Sequence, residues 1–313
     1  MKIVITGGSG FIGMNLAEWL CKHEPESEVL LLDIAPPTTN IPESAEYVYG
    51  DVRSITGLLH SFEGADEVYH LAGVLGTSEL LMHVSTAIET NIGGTANVLE
   101  AAYRCGVGRV YNVAKPQFSS LHENTYTLTK HTGELLSMMY RGTTGLKVTS
   151  TRWLNAVGRY QHLYPVRKLV PTLVLFALRG VPLEIYGNGG QTIDPIDARD
   201  LCRFTVYACR NQGLDSAIVD VGSGQAISCN DVAREVLLCL REDFGLTTNS
   251  KVVHLPMRAG EAEGTCIKAD TSFWDGLGMT PDYSFRDTLR EVFDDILGRP
   301  SYELDNAMRF YGK

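Results

Sequence analysis

Hydrophobic positions along the first half of the chain follow two rhythms, with polar residues marking the changes between them. Runs such as Ile3-Val4-Ile5 and Val29-Leu30-Leu31-Leu32 have the length and branching of buried strands, whereas 11–22 and 124–142 space their apolar positions by three and four. The pattern predicts strands at 2–6, 28–33, 46–49, 67–71, 109–113 and 147–152, with helices near 11–22, 54–62, 84–105 and 124–142 between them. Such alternation specifies an α/β fold of the Rossmann type, a doubly wound parallel sheet whose ligand crevice lies at the strand C-termini. After Arg159 the rhythm changes. Pro165, Pro171, Pro182 and Pro195 punctuate shorter elements. A helix is expected over Pro171–Arg179, a strand at Leu183–Tyr186, and a helix from Asn230 to about Arg241 behind a Ser228 cap. Ile218–Val221 reads as a late strand returning to the sheet. The organisation expected is therefore a doubly wound parallel-sheet domain over 1–160, with that late strand near 217–222, and a smaller α/β substrate lobe over 161–313.

Where the first strand meets the first helix, Gly8, Gly10 and Gly13 form G-x-G-x-x-G, and Gly7, Gly10 and Gly13 form G-x-x-G-x-x-G. One glycine permits the tight turn, one lets backbone approach a pyrophosphate, and one packs helix on strand. The helix then opens with Phe11 and Ile12, offering free N–H groups to phosphate. The second strand ends in Asp33, about twenty residues beyond Gly13, where a carboxylate holds a ribose 2′-OH. That carboxylate would repel a 2′-phosphate, and Ile34-Ala35-Pro36 brings no arginine beside it, so NAD is expected rather than NADP.

Composition narrows the partners. The 313 residues are 44% hydrophobic and 20% charged, and 27 Lys+Arg against 37 Asp+Glu give a formal charge of −10. This balance argues against a general nucleic-acid or membrane binder and leaves anionic ligands to local basic residues. No apolar run approaches the ~18 residues of a membrane span. A first strand starting at Lys2 leaves no room for a signal peptide, which points to the cytoplasm. The 7 cysteines are scattered without C-x-x-C or ligand-spaced histidines, and are read as free core thiols with no metal site.

Tyr126 and Lys130 lie four apart on a predicted helix, so they share one face. The ammonium is expected to favour the phenolate, lowering the tyrosine toward its working range, and to reach a nicotinamide ribose. Tyr164 and Lys168 form a rival pair, disfavoured because Pro165 interrupts a helix there. His70 is read as a packed strand-end residue, and His131 as solvated.

With these residues in place, the chain resembles the extended short-chain dehydrogenase/reductase family, specifically the NAD-dependent nucleotide-sugar epimerases and dehydratases. The likeness runs nearly the full length. It includes Gly50-Asp51-Val52, whose aspartate in the family meets adenine; His70-Leu71-Ala72-Gly73, beside the cofactor; and Asn91-Ile92-Gly93-Gly94-Thr95-Ala96-Asn97. It continues with Arg152-Trp153-Leu154-Asn155, then Ile185-Tyr186-Gly187-Asn188-Gly189-Gly190-Gln191-Thr192, Asp220-Val221-Gly222-Ser223-Gly224 and Pro256-Met257-Arg258-Ala259-Gly260-Glu261. The resemblance implies cofactor contacts from Leu71, Ala72, Gly73, Asp51, Val52, Asn91, Tyr126 and Lys130. It implies substrate contacts from Asn155, Arg258, Thr77 and Ser78. It also implies a homodimer through the helices at 84–105 and 124–142, with Val98, Leu99, Ala102, Leu135, Met138 and Met139 as apolar contacts.

Two positions depart from the family pattern. The fifth strand runs into Ala114-Lys115-Pro116, so Lys115 takes the place of the usual catalytic Ser/Thr, with Ser119 or Ser120 as substitutes for it. Ile193 stands where many relatives carry a diphosphate-binding arginine, leaving Arg159, Arg167 or Lys168 to supply the clamp. The expected activity is that of a UDP-hexose 4-epimerase acting on a nucleoside-diphosphate sugar through a 4-keto sugar. The alternatives are a 4,6-dehydratase, a uronic-acid decarboxylase, or a non-catalytic NAD(H)-binding regulator. Lys115-Pro116-Gln117 lacks the Asp-Glu pair that dehydratases usually place there.

Overall fold

Branched apolar residues with few polar interruptions make the first strand, β1 (Lys2–Thr6), a buried parallel strand, and Gly7 at φ +71° turns it into helix α1 (Phe11–His23). A computed structural model of the chain describes residues 1–114, 124–211, 214, 218–258 and 264–313. It continues with β2 (Glu28–Asp33), β3 (Ala45–Tyr49), α2 (Ile55–Phe62) and β4 (Glu67–His70). A short helix, α3 (Val84–Ala87), a π turn (Ile88–Gly93) and α4 (Gly94–Arg104) follow. Then come β5 (Arg109–Val113), α5 (Thr125–Thr144) and β6 (Val148–Trp153). The single helix expected over 84–105 is thus broken by one wide turn. The Asn124 side chain caps α5 by accepting from Thr127 N, and Gly145 in the left-handed region ends it.

Two compact units divide the chain: Met1–Trp153 with Leu201–Val221, and Leu154–Asp200 with Gly222–Lys313. The first holds a seven-stranded parallel sheet in the order β11-β6-β5-β4-β1-β2-β3, in which β11 (Val219–Val221) pairs with β6 as the late strand. The order reverses beside β1, where β2 lies on one side and β4 on the other, and an open α/β sheet binds its ligand at such a point. Val4, Leu32, Val68, Val98, Leu99 and Val110 belong to its core.

The second unit is built from β7 (Asn155–Val157), α6 (Leu169–Arg179), β8 (Leu183–Tyr186), β9 (Thr192–Ile193) and β10 (Pro195–Asp197). Its remaining strands and long helices include β12 (Ile227–Ser228), α8 (Cys229–Glu242), β13 (Val252–Leu255) and α9 (Phe285–Gly298). Ser228 caps α8 as expected, accepting from Asp231 N. Asp194 is fully buried and receives Ser223 N, Gly224 N and Ala269 N, so its charge is met by backbone donors.

In the first unit, Arg210, at the end of α7 (Ala198–Arg210), meets Glu67 on β4 at 2.9 Å and also binds Glu24. Tyr69 donates to the same Glu67 at 3.0 Å, and the Glu67 side chain is only 5% exposed. Arg210→Ala is expected to destabilise the protein by about 3 kcal/mol, because it strips a buried carboxylate of its main partner. A fall in the thermal midpoint checks this. An unchanged midpoint would mean that Arg109, 4.0 Å from Glu67, suffices as countercharge.

Candidate active site

The glycine turn is built by close backbone contact. A Cβ on Gly13 would lie 2.4 Å from the Gly7 carbonyl oxygen, one on Gly7 would lie 2.7 Å from Ala72 N, and one on Gly8 would lie 2.7 Å from Leu31 Cα. No side chain fits at any of the three. Gly10, with Gly7 O at 3.2 Å from its hypothetical Cβ, is the N-cap of α1 and has no side chain to occupy the helix's free N–H groups. Asp33 Oδ2 accepts from Ser9 N at 3.1 Å, and Oδ1 accepts from Ala35 N at 3.2 Å, which fixes the carboxylate beside the turn. A backbone cradle at a helix N-terminus with a carboxylate at its rim fits a dinucleotide.

Farther along the same edge, Asp51, Arg53, Ser54, Glu89, Gly93 and Asn97 line a cavity of about 600 Å³. Arg53 holds Asp51 through Nε at 3.0 Å and keeps its carboxyl below the usual range. Val52 is buried, and its carbonyl accepts from Asn97. Leu71, Ala72 and Gly73 follow β4 directly, and a Cβ on Gly73 would come within 3.0 Å of Asn91 Oδ1. Asn91 is buried in the π turn and bonds Val74 through both ends of its amide.

Tyr126 and Lys130 fall one turn apart in α5, both partly exposed. Desolvation dominates there. It pushes the Tyr126 phenol up to about 12 and the Lys130 ammonium down to about 8, the latter opposed by Glu134. The lowering of the tyrosine expected from its cationic neighbour is therefore reversed, because burial outweighs a charge one turn away. His70 is buried as expected, between Thr6 and Thr95. His131, expected in solvent, is partly buried, and its Nδ1 finds no hydrogen-bond partner among the described residues.

Lys115, Ser119 and Ser120 lie outside the described residues. Thr77 and Ser78 are partly buried beyond β4, where Ser78 precedes a 3-10 turn. In the second unit, Asn155 begins β7 and accepts from Asp194 N at 3.1 Å, while the Arg258 guanidinium lies 5.0 Å from the Tyr186 ring centroid. Arg167 binds Glu184 and the Tyr186 hydroxyl, an anchoring role that spacing alone did not reveal. The rival pair is not helical: residues 164–167 carry no regular structure, and Lys168 is only the N-cap of α6. Val98, Leu99 and Ala102 are core residues rather than surface contacts, because this face of α4 packs inside the unit. Leu135, Met138 and Met139 are exposed.

The family model for NAD dependent epimerases/dehydratases matches residues 3–222. The chain belongs to that family, and its cofactor is NAD. Among its relatives, the low-salt glycan biosynthesis protein Agl12 of Haloferax volcanii is 26% identical, covering 95% of this chain and 99% of that protein. A UDP-N-acetyl-alpha-D-glucosaminuronate decarboxylase of Bacillus cytotoxicus is 29% identical over 82% and 83% of the two chains. The crystal structure of the dTDP-glucose 4,6-dehydratase DesIV of Streptomyces venezuelae, with NAD and TYD bound, superposes with a TM-score of 0.81 at 27% identity, covering 96% and 98%. The UDP-glucose 4-epimerase of Thermus thermophilus, complexed with NAD, superposes at 0.83 with 22% identity, covering 96% and 100%, and shares the fold.

Because Asp33 faces the turn with no described arginine beside it, NAD is expected to bind at least tenfold more tightly than NADP. Fluorescence titration of both dinucleotides at physiological salt checks this, and equal affinity would remove the role given to Asp33.

Proposed function

We propose that the protein is a nucleoside-diphosphate-sugar 4-epimerase acting on a UDP-hexose, with Tyr126 as the acid–base group. The observation that carries this reading is the Tyr126/Lys130 pair on one face of α5, in the same unit as the glycine cradle and Asp33. Bound NAD supplies the hydride acceptor and donor, together with a positively charged ring that favours a nearby phenolate. Tyr126 takes the proton of the sugar C4 hydroxyl in the oxidation and returns it in the reduction. Lys130 holds a positive charge beside the phenol and binds the nicotinamide ribose. Tyr126 serves both directions, so inversion requires only that the 4-keto sugar present its other face. Thr77 and Ser78, in the same unit as Tyr126, are further substrate contacts, and in the second unit Arg258 carries a planar guanidinium of the kind suited to a diphosphate.

A second reading, decarboxylation of a nucleotide-linked uronic acid, is favoured by the sequence, in which Lys115 stands where relatives carry Ser/Thr and brings a cation that would pair with a uronate carboxylate. The decarboxylase relative from Bacillus cytotoxicus supports it. Supplying the purified enzyme with UDP-, dTDP- and GDP-linked hexoses and uronates, and following both the near-ultraviolet absorbance of reduced nicotinamide and the sugar product, distinguishes the readings. A 4-epimer confirms the first and carbon dioxide release the second.

Tyr126→Phe is expected to lower turnover by about two to four orders of magnitude while NAD stays bound. Lys130 is protonated below about pH 8 and neutral above it, so turnover that depends on the ammonium falls as the pH rises through that value. A Tyr126→Phe protein of undiminished rate would move the chemistry to another residue.

The same reading includes a homodimer. Leu128, Leu135, Met138 and Met139 are 46–50% exposed on α5 and recur at helical spacing, which suits a second copy of the helix. Light scattering at micromolar concentration is expected to give twice the 34.4 kDa chain mass. A monomeric mass would refute the dimer.

A further inference from the structure

Behind Tyr126, a chain of buried polar side chains allows its donors and acceptors to be assigned one at a time. Thr95 Oγ1 donates to the Asn91 carbonyl at 2.6 Å, so its single hydrogen is used. Toward His70 Nε2, 3.0 Å away, that hydroxyl can only accept, and Nε2 therefore carries a hydrogen. Burial, with Lys130 as the charged neighbour, pushes the His70 imidazole down to about 3 and keeps the ring neutral. A neutral ring with its hydrogen on Nε2 accepts at Nδ1. Thr6 Oγ1 lies 2.8 Å from Nδ1 and donates to it, while accepting from Ala72 N at 3.3 Å.

The chain then branches at Asn91, which lies within the π turn. Its Oδ1 accepts from Val74 N at 2.9 Å, and its Nδ2 donates to Val74 O at 3.1 Å and to Thr129 Oγ1 at 3.0 Å. Thr129 donates in turn to the Tyr126 carbonyl at 3.1 Å. At Gly133, α5 passes close to these bonds, where a Cβ would make ordinary contact with Thr95 Oγ1 at 3.5 Å and Asn91 O at 3.8 Å. One unbroken set of hydrogen bonds thus runs from the end of β1 to the helix that bears Tyr126.

We propose that His70, as the Nε2–H tautomer, is a positioning residue for Tyr126, fixing through Thr95 the Asn91 carbonyl of the π turn and hence the amide that ties the Leu71–Val74 loop to α5. A π turn is a costly distortion of a helix, often kept where function needs a carbonyl or side chain displaced. Here it turns Asn91 toward both the loop after β4 and α5. The proposal rests on Tyr126 as the acid–base group, so its test has one arm that does not involve turnover.

In that arm, the whole protein is labelled with ¹⁵N-histidine, and the His70 ring is identified by its disappearance in His70→Gln. The ring is expected to show a single Nε2–H tautomer, unchanged from about pH 5 to about pH 9, although a free histidine titrates within that range. An Nδ1–H tautomer, or a ring that titrates there, overturns the proposal. In the second arm, Thr95→Val keeps the side-chain shape and removes the hydroxyl. With the nucleotide sugar that turns over in the panel, kcat is expected to fall about tenfold while KM and bound NAD stay the same, and Thr95→Ser is expected to restore the rate. Full activity in Thr95→Val beside an inactive Tyr126→Phe also overturns it. Full activity in Tyr126→Phe instead sinks the functional reading and leaves the labelled ring to decide the tautomer. A Thr95→Val protein that fails to fold leaves the decision to that spectrum as well.

Discussion

The first unit depends on a contact made between backbones. Because Gly13 can approach the Gly7 carbonyl to a distance no side chain permits, α1 lies directly on the turn that leaves β1. The free N–H groups at its start then lie at the turn that follows the C-terminal end of β1. Gly7 also packs against Ala72, where a Cβ would lie 2.7 Å from Ala72 N, so a second contact of the same turn fixes the segment that follows β4. That segment is what the Asn91 amide grips, and Asn91 in turn reaches α5 through Thr129. The phosphate cradle, the loop after β4 and the helix carrying Tyr126 are therefore tied together through the close contacts of this glycine turn and the hydrogen bonds of Asn91.

Desolvation governs the charges at this site. It acts on three groups at once, raising Tyr126 while lowering Lys130 and His70, so each is pushed toward its neutral form. A lysine one helical turn from a phenol would favour the phenolate in a uniform medium, but in buried surroundings the cost of ionising either partner is larger. Glu134, one turn beyond Lys130, works against that cost. His70 sets the opposite example: its neutrality is what allows one ring nitrogen to donate and the other to accept.

Elsewhere, burial is met by pairing. Asp194 and Glu67 are both buried, yet the first is surrounded by backbone N–H groups and the second by a guanidinium and a phenol. Neither arrangement is legible as a motif. Asp194 draws donors from residues about 30 and 75 positions away, and Glu67 draws its arginine from a helix 143 positions later.

The sequence by itself determined the strands and most of the helices of the first unit, the glycine turn, Asp33 at the end of β2, the late strand and the Tyr126/Lys130 spacing. Each of these is a local signal, carried by side-chain period, by a glycine where the chain must turn, or by a residue at a strand end. The tertiary structure decided what local spacing cannot hold. It broke the helix over 84–105 with a π turn, because Asn91 has partners on a loop and on another helix that no period along its own helix records. It placed Val98, Leu99 and Ala102 in the core while leaving Leu135, Met138 and Met139 outside, since an apolar stripe does not say which neighbour covers it. It reversed the expected shift of Tyr126 and drew His131 partly inside, because the dielectric around a group is set by every element packed against it and not by the residues beside it in the chain.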